Sequence, residues 1–253
     1  MRALLIGAGQ LGRTLGGGLL ACGVNVDVVL RGGHVVIWKQ YDFILVAVGE
    51  KDLPDALASI PSEVRDRLVL LQNDLVPPTW RALHVQSPTV LVVWFEKKKG
   101  KPLQVVRASD IAGPQSALFV RVFEAIDVPA RVITEPELAC ALVVKNVYIN
   151  GSNGMGLELG GGTTGGLVSS HREVTTALLR ELCGVERARL TQEESGLMED
   201  DVLMEETFAA FASEPNHGLL GRTAKERVLR AQARARSAGL TTPVLDRIAA
   251  RAT

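Results

Sequence analysis

Two stretches of the sequence hold residues whose types and spacing suit chemistry. The first is GAGQLG, which sets Gly7, Gly9 and Gly12 in the pattern G-x-G-x-x-G. It follows the apolar run RALLI and opens the helical segment QLGRTLGGGLLACG, and this strand–turn–helix context gives the pattern its meaning. The first glycine of such a turn permits a tight bend, the second lets the backbone approach a pyrophosphate, and the third lets helix and strand pack closely. The start of the helix adds free N–H groups and a positive dipole end. Gly7, Ala8, Gly9, Gln10, Leu11 and Gly12 are therefore read as a dinucleotide-binding turn.

The second stretch is ELACALVVKNVYINGSNGMG, where Lys145 stands in an apolar run beside Asn146 and Asn150. A lysine in that setting either snorkels its ammonium to water or is kept for chemistry. The chemistry would be proton transfer. A carbonyl that receives hydride becomes an alkoxide, and a nearby ammonium stabilises that charge and then gives up its proton. On a helix Asn146 and Asn150 share a face one turn apart, where they can bind a hydroxyl or carboxylate. Lys145 lies about 100° round from Asn146, within reach of the same space through its long stem. Asn73 ends the strand RLVLLQN, the place where parallel sheets bind ligands, and its amide suits orienting a substrate or nicotinamide.

The end of the second strand bears on the choice between NAD and NADP. VNVDVVLRGG carries no acid at its tip; Asp27 lies mid-strand, and Arg31 suits a 2′-phosphate. The expected cofactor is NADP.

These residues need a scaffold, and the chain has length enough for one. Its 253 residues can bury a substantial core in one large domain or two modest ones. The 28 basic and 28 acidic residues balance, which argues against nucleic-acid binding. Three cysteines, Cys22, Cys140 and Cys183, lie far apart and read as reduced thiols of a cytoplasmic protein, and the four histidines show no zinc spacing, so no metal is expected. The N-terminus does not read as a signal peptide, and no apolar run reaches membrane-spanning length.

The first half alternates strands (RALLIGAG, VNVDVVL, YDFILVAV, RLVLLQN, TVLVVWF) with helical segments, which predicts crossovers and a mainly parallel sheet. KKKGKP reads as a hairpin turn that adds antiparallel pairing at the far side of that sheet, and VPARVIT as a last strand. From residue 135 the texture turns helical, with helices expected over GLVSSHREVTTALLRELC, DDVLMEETFAAFA and RTAKERVLRAQARARSAG. GSNGMGLELGGGTTGGL is glycine-dense and is expected to be a loop or broken helix. The expected boundary divides residues 1–134 from 135–253.

GAGQLG, the arginine after the second strand, YDFILVAV with a short helix behind it, LVLLQNDL and the terminal GRTAKER…GLTTPV together resemble the ketopantoate reductases, also called 2-dehydropantoate 2-reductases. The resemblance touches both ends of the chain and its middle. It implies an α/β Rossmann domain for NADPH, followed by an all-helical domain of the 6-phosphogluconate-dehydrogenase type that binds substrate and packs into a homodimer. The active site would lie in the cleft between the domains, and the family's reaction belongs to pantothenate biosynthesis. Gln72-Asn73-Asp74 matches two positions of the family's Q-N-G, whose asparagine lies beside the nicotinamide. Val48-Gly49 stands where the family has a V-K pair, so Val48 is carried over as a cofactor contact and the lysine is not. The family's K-x-x-x-N-x-x-x-N keeps its asparagines as Asn146 and Asn150, but its lysine position is Leu142. Ser213, with Asn216 and His217, lies near the family's substrate-binding serine, and Glu226 is the displaced counterpart of its substrate-binding glutamate. Lys145-Asn146-Val147 is also similar to the L-K-N-V of bacterial glycerol-3-phosphate dehydrogenases. Three readings stay open: a reductase of a small 2-oxo acid, a glycerol-3-phosphate-like dehydrogenase, and a dinucleotide-binding protein without catalysis.

Overall fold

The computed structural model describes residues 1–35 and 37–252. The chain divides into two compact units, Met1–Leu138 and Ala139–Thr253.

The first unit runs β1 (Arg2–Ile6), α1 (Gln10–Ala21), β2 (Asn25–Val29), β3 (Phe43–Val46), α2 (Leu53–Ala58), β4 (Leu68–Leu70), α3 (Pro77–Arg81), β5 (Thr89–Val92), β6 (Phe95–Lys97), β7 (Leu103–Val105), β8 (Ser109–Ala112), α4 (Ser116–Glu124) and β9 (Ala130–Val132). Seven strands form one sheet in the order β2-β1-β3-β4-β5-β8-β9. Its first five are mutually parallel. The strands FILV, LVL and TVLV are apolar but for Thr89 because both faces of a parallel sheet are covered, and all their residues are buried. On one face Leu15 and Leu19 of α1 join Phe119, Val122 and Phe123 of α4 in a core with Ala3, Leu5, Phe43 and Leu45. Phe43 and Phe119 meet edge to face, their ring centroids 5.7 Å apart.

The register fixes what matters for a site. Ile6 lies beside both Val29 and Val46, and Val46 beside Leu70. The strands β1 to β4 therefore end at one edge. The chain moves from β1 outward to β2 and then back past β1 to β3, so the strand order reverses beside β1.

The expected hairpin forms, pairing Phe95 with Val105 and Glu96 with Gln104. Its place differs from expectation, since β6 and β7 make a separate two-stranded sheet. The antiparallel strand of the main sheet is β8, paired with β5. The chain leaves the sheet after Val92 and returns to it at Ser109, whose hydroxyl accepts a hydrogen bond from the Trp94 N–H at 2.9 Å.

The helical part consists of α5 (Glu135–Leu159), α6 (Thr164–Ser169), α7 (Arg172–Arg187), α8 (Gln192–Gly196), α9 (Asp200–Ser213), α10 (Ala224–Ser237) and α11 (Pro243–Ala250). From Leu142 to Gly156 every residue of α5 is buried except the half-buried Lys145. Of the loop or broken helix expected over the glycine-dense stretch, the structure has the broken helix, and the loop is corrected: residues 151–159 continue α5 and α6 resumes at Thr164. A Cβ on Gly151 would stand 2.6 Å from Leu179 Cδ2, and one on Gly154 2.9 Å from Leu178 Cδ2. These glycines bring α7 close to α5 rather than ending the helix. The break comes only at Gly160, Gly161 and Gly162, all at positive φ. A second correction is that GLVSSHREVTTALLRELC is two helices, α6 and α7, with the break at Ser170 and His171. The short helix α8 was not expected; Thr191 and Glu194 close it with reciprocal cap hydrogen bonds.

Candidate functional site

The turn after β1 is built on its glycines. Gly7 has φ +92, and a Cβ there would lie 2.9 Å from the Ala47 carbonyl oxygen. A Cβ on Gly12 would come 2.3 Å from the Gly7 carbonyl oxygen, so helix and turn touch through it. Gly9 differs: nothing lies within 4 Å of where its Cβ would be. The backbone at Gly9 thus borders open space of the kind a pyrophosphate needs. α1 begins there with no acid in its first turn and no side chain capping it, which leaves the N–H groups of Gln10, Leu11 and Gly12 without intrahelical partners. Arg13 was missed in the sequence. Its Nε donates to the Ala8 carbonyl at 2.9 Å, which braces the turn and adds a cation beside it. A basic residue directly after the motif was the available signal.

Arg31 sits in a tight turn at the tip of β2, closed by the Gly33 N–H donating to the Leu30 carbonyl at 2.9 Å. Its guanidinium meets Asp52 at 3.0 Å. Asp27 is engaged elsewhere, 2.7 Å from the Arg2 guanidinium. A hydrogen bond from Tyr41, then Arg2 itself, holds its carboxyl below the usual carboxylate range. Asp27 is thus tied at mid-strand, opposite Leu4 of β1.

Val48 and Asn73 emerge at the same edge, after β3 and β4. Gln72, 6% exposed, locks them. Its Nε2 donates to the carbonyls of Val46 at 2.6 Å and Val48 at 3.3 Å. Asn73 is half-buried beside this lock. Gly7–Gly12, Arg31, Val48 and Asn73 are therefore brought to one edge of one sheet.

In the second unit the asparagines separate. Asn146 is 1% exposed, and its Nδ2 donates to Glu186 Oε2 at 2.9 Å. Glu186 is fully buried, is hydrogen-bonded by Arg189, and has Arg234 at 3.8 Å. This is a correction for Asn146: a buried carboxylate must be paired, and the asparagine helps to pair it. Asn153 was also missed. Its Oδ1 accepts from the Gly221 N–H at 3.0 Å and fixes the loop before α10. Asn150 lies between them, 2% exposed, and its Nδ2 is buried without a hydrogen-bond partner among the described residues. An orphaned buried amide of this kind costs about 1–3 kcal/mol until something accepts from it.

Lys145 Nζ stands 5.6 Å from the centroid of the Tyr148 ring. Tyr148 is a core residue, 3% exposed, with its ring 5.0 Å from that of Phe211. Leu142 is buried as well. Ser213 is exposed at the end of α9, its hydroxyl bonded to the Ala210 carbonyl at 2.8 Å, and Glu226 is exposed in the first turn of α10. Among the described residues no group of His, Cys, Asp and Glu is placed to hold a metal, and no helix is long and apolar enough to cross a membrane.

No family model and no curated protein matches the sequence. Solved structures do. A ketopantoate reductase from Ralstonia eutropha JMP134 is 20% identical, with a TM-score of 0.69 over 100% of this chain and 97% of that one. A dimeric ketopantoate reductase from Staphylococcus aureus is 16% identical, with a TM-score of 0.63 over 100% and 97%. D-mandelate dehydrogenase in complex with NADH and anilino(oxo)acetate is 13% identical, with a TM-score of 0.69 over 100% and 97%. The chain has the ketopantoate reductase fold. It is an α/β unit with a mostly parallel sheet followed by helices. One departure from the ketopantoate reductase pattern gains a physical reason here. Where the family has the glycine of Q-N-G, Asp74 takes φ +66, a left-handed conformation that aspartate tolerates better than most residues.

Proposed function

We propose that this chain is an NADP-dependent reductase of a small 2-oxo acid or a related carbonyl, with ketopantoate the first substrate to try. One observation carries the reading. In a chain with this fold, GAGQLG borders open space at Gly9, and the start of α1 leaves its N–H groups unclaimed there. When bound, NADPH supplies the hydride. The N–H groups of Gln10, Leu11 and Gly12 hold the pyrophosphate, Arg31 holds the 2′-phosphate, and Val48 and Asn73 flank the nicotinamide. The Asn73 amide orients the reacting groups. Lys145 stabilises the developing alkoxide and delivers the proton from Nζ. Asn150 gives its orphaned Nδ2–H to a substrate oxygen, which removes the cost of burying it unpaired. Ser213 and Glu226 are the remaining substrate contacts of this reading. It includes a cytoplasmic location, supported by three cysteines that are all free thiols. It also includes a homodimer, as in the Staphylococcus aureus neighbour.

The buried Leu142 at the family's lysine position favours a second reading, in which dinucleotide binding persists without catalysis. NADPH consumption with ketopantoate, other 2-oxo acids and dihydroxyacetone phosphate separates the two and also tests the glycerol-3-phosphate-like alternative. Under the proposed reading Lys145→Ala lowers kcat by about a hundredfold, the scale of losing a general acid, and leaves NADPH affinity unchanged. NADPH binding with no turnover on any of these carbonyls supports the second reading.

A further inference from the structure

Arg31 is already held at the tip of β2. Its Nη2 lies 3.0 Å from Asp52 Oδ2, with the two side chains 85% and 37% exposed. β1 lies between β2 and β3 in the sheet, so this pair joins the tip of β2 to the segment after β3. It spans the sheet edge on which the glycine turn opens. Asp52 stands at the N-cap of α2, a position where aspartate usually bonds its own helix, yet it makes no such bond. Its carboxylate is turned to the edge instead, with Oδ2 3.6 Å from the place of a Gly49 Cβ.

We propose that Asp52 is a specificity-determining residue, one that competes with the 2′-phosphate of NADP for Arg31 and so limits how strongly the chain prefers NADP to NAD. This rests on the proposed reading of the edge as a dinucleotide site. A guanidinium fork serves a carboxylate or a phosphate equally well in geometry. A bound 2′-phosphate therefore displaces Asp52 from Arg31 and leaves a carboxylate beside a phosphate of the same sign. A 2′-hydroxyl makes no such demand, and the ion pair persists when NAD binds.

The test uses the full chain and the fluorescence of the reduced nicotinamide to titrate NADPH and NADH. Asp52→Asn keeps the shape and removes the charge. It should tighten NADPH about three- to fivefold at low salt, the scale of an exposed ion pair, without changing NADH affinity. The gain should shrink as ionic strength rises. In an Arg31→Ala background Asp52→Asn should bring a smaller gain, because only the like-charge repulsion is then left to relieve. Weaker NADPH binding in Asp52→Asn would mean that the carboxylate positions the arginine for phosphate, and weaker NADH binding would mean that it accepts a ribose hydroxyl. Either result overturns the proposal, as does no change at all. If Arg31→Ala weakens NADPH binding while Asp52→Asn does nothing, the dinucleotide reading stands and only the competition falls. If the unaltered chain binds no NADPH, both fall.

Discussion

The two units present their polar groups in opposite ways. At the edge of the parallel sheet the groups on offer are mostly main chain: the N–H groups at the start of α1 and the bare backbone at Gly9. What counts there is the absence of side chains. In α5 the groups on offer are side chains on a helix enclosed on every side, with Asn146, Asn150 and Asn153 all 5% exposed or less. Two of the three are claimed, Asn146 by Glu186 and Asn153 by Gly221, and the Nδ2 of Asn150 is not. A main-chain site tolerates changes around it while its glycines remain. A side-chain site depends on register, because a shift of one residue turns a group by about 100° about the helix axis. Lys145 stands next to Asn146 rather than four residues before it, a displacement of three residues from Leu142 that leaves it about 60° round the helix axis from that position.

The sharpest break of this contrast is Gly9→Val. We expect NADPH binding to be lost altogether, because the side chain fills the space over the turn, while stability stays within about 0.5 kcal/mol of the parent, the usual range for a surface change. Gly12→Ala serves as the control. Its Cβ would press on the Gly7 carbonyl, at a cost of about 1–3 kcal/mol. Fluorescence titration and urea midpoints read the two effects separately. Normal NADPH binding by Gly9→Val would make GAGQLG a structural turn only.

The same contrast governs how far each site is legible in the sequence. The glycine turn is local, so a six-residue pattern after an apolar strand places its backbone and its open side. Arg31 is legible as a cation at a strand tip, but its partner Asp52 lies 21 residues on and is fixed only by the strand order. In α5 the spacing of Asn146 and Asn150 shows a shared face, yet nothing local distinguishes them. Glu186, the group that claims Asn146, is 40 residues away. The glycines of α5 mislead for a related reason. Glycine reads as a helix breaker by propensity, whereas Gly151 and Gly154 are set by the approach of Leu179 and Leu178 from α7. Thr191 and Glu194 carry the three-residue spacing of a capping box, the signal that could have announced the unexpected α8.

Asn146→Ala gives the next largest effect. It takes a donor from the buried carboxylate of Glu186, and a hydrogen bond to a charged group is worth about 1.5–3 kcal/mol. We expect the unfolding free energy from urea denaturation to fall by that amount. NADPH affinity should be unchanged, since the glycine edge is built by the other unit. A variant as stable as the parent would show that Arg189 and Arg234 suffice for Glu186.

The smallest effect is expected one helical turn on. Asn150→Ala deletes an amide whose buried Nδ2 has no hydrogen-bond partner among the described residues, which relieves a cost of about 1–3 kcal/mol. It also opens a small void, whose lost packing offsets part of that relief. The net change in unfolding free energy from urea denaturation should stay within about 1 kcal/mol, well short of Asn146→Ala on the same helix face. If Asn150 serves the substrate as proposed, KM for the carbonyl substrate should rise while NADPH affinity stays unmoved. If Asn150→Ala destabilises as much as Asn146→Ala and leaves KM alone, then Asn150 belongs to the packing of α5, and its assignment to the substrate fails.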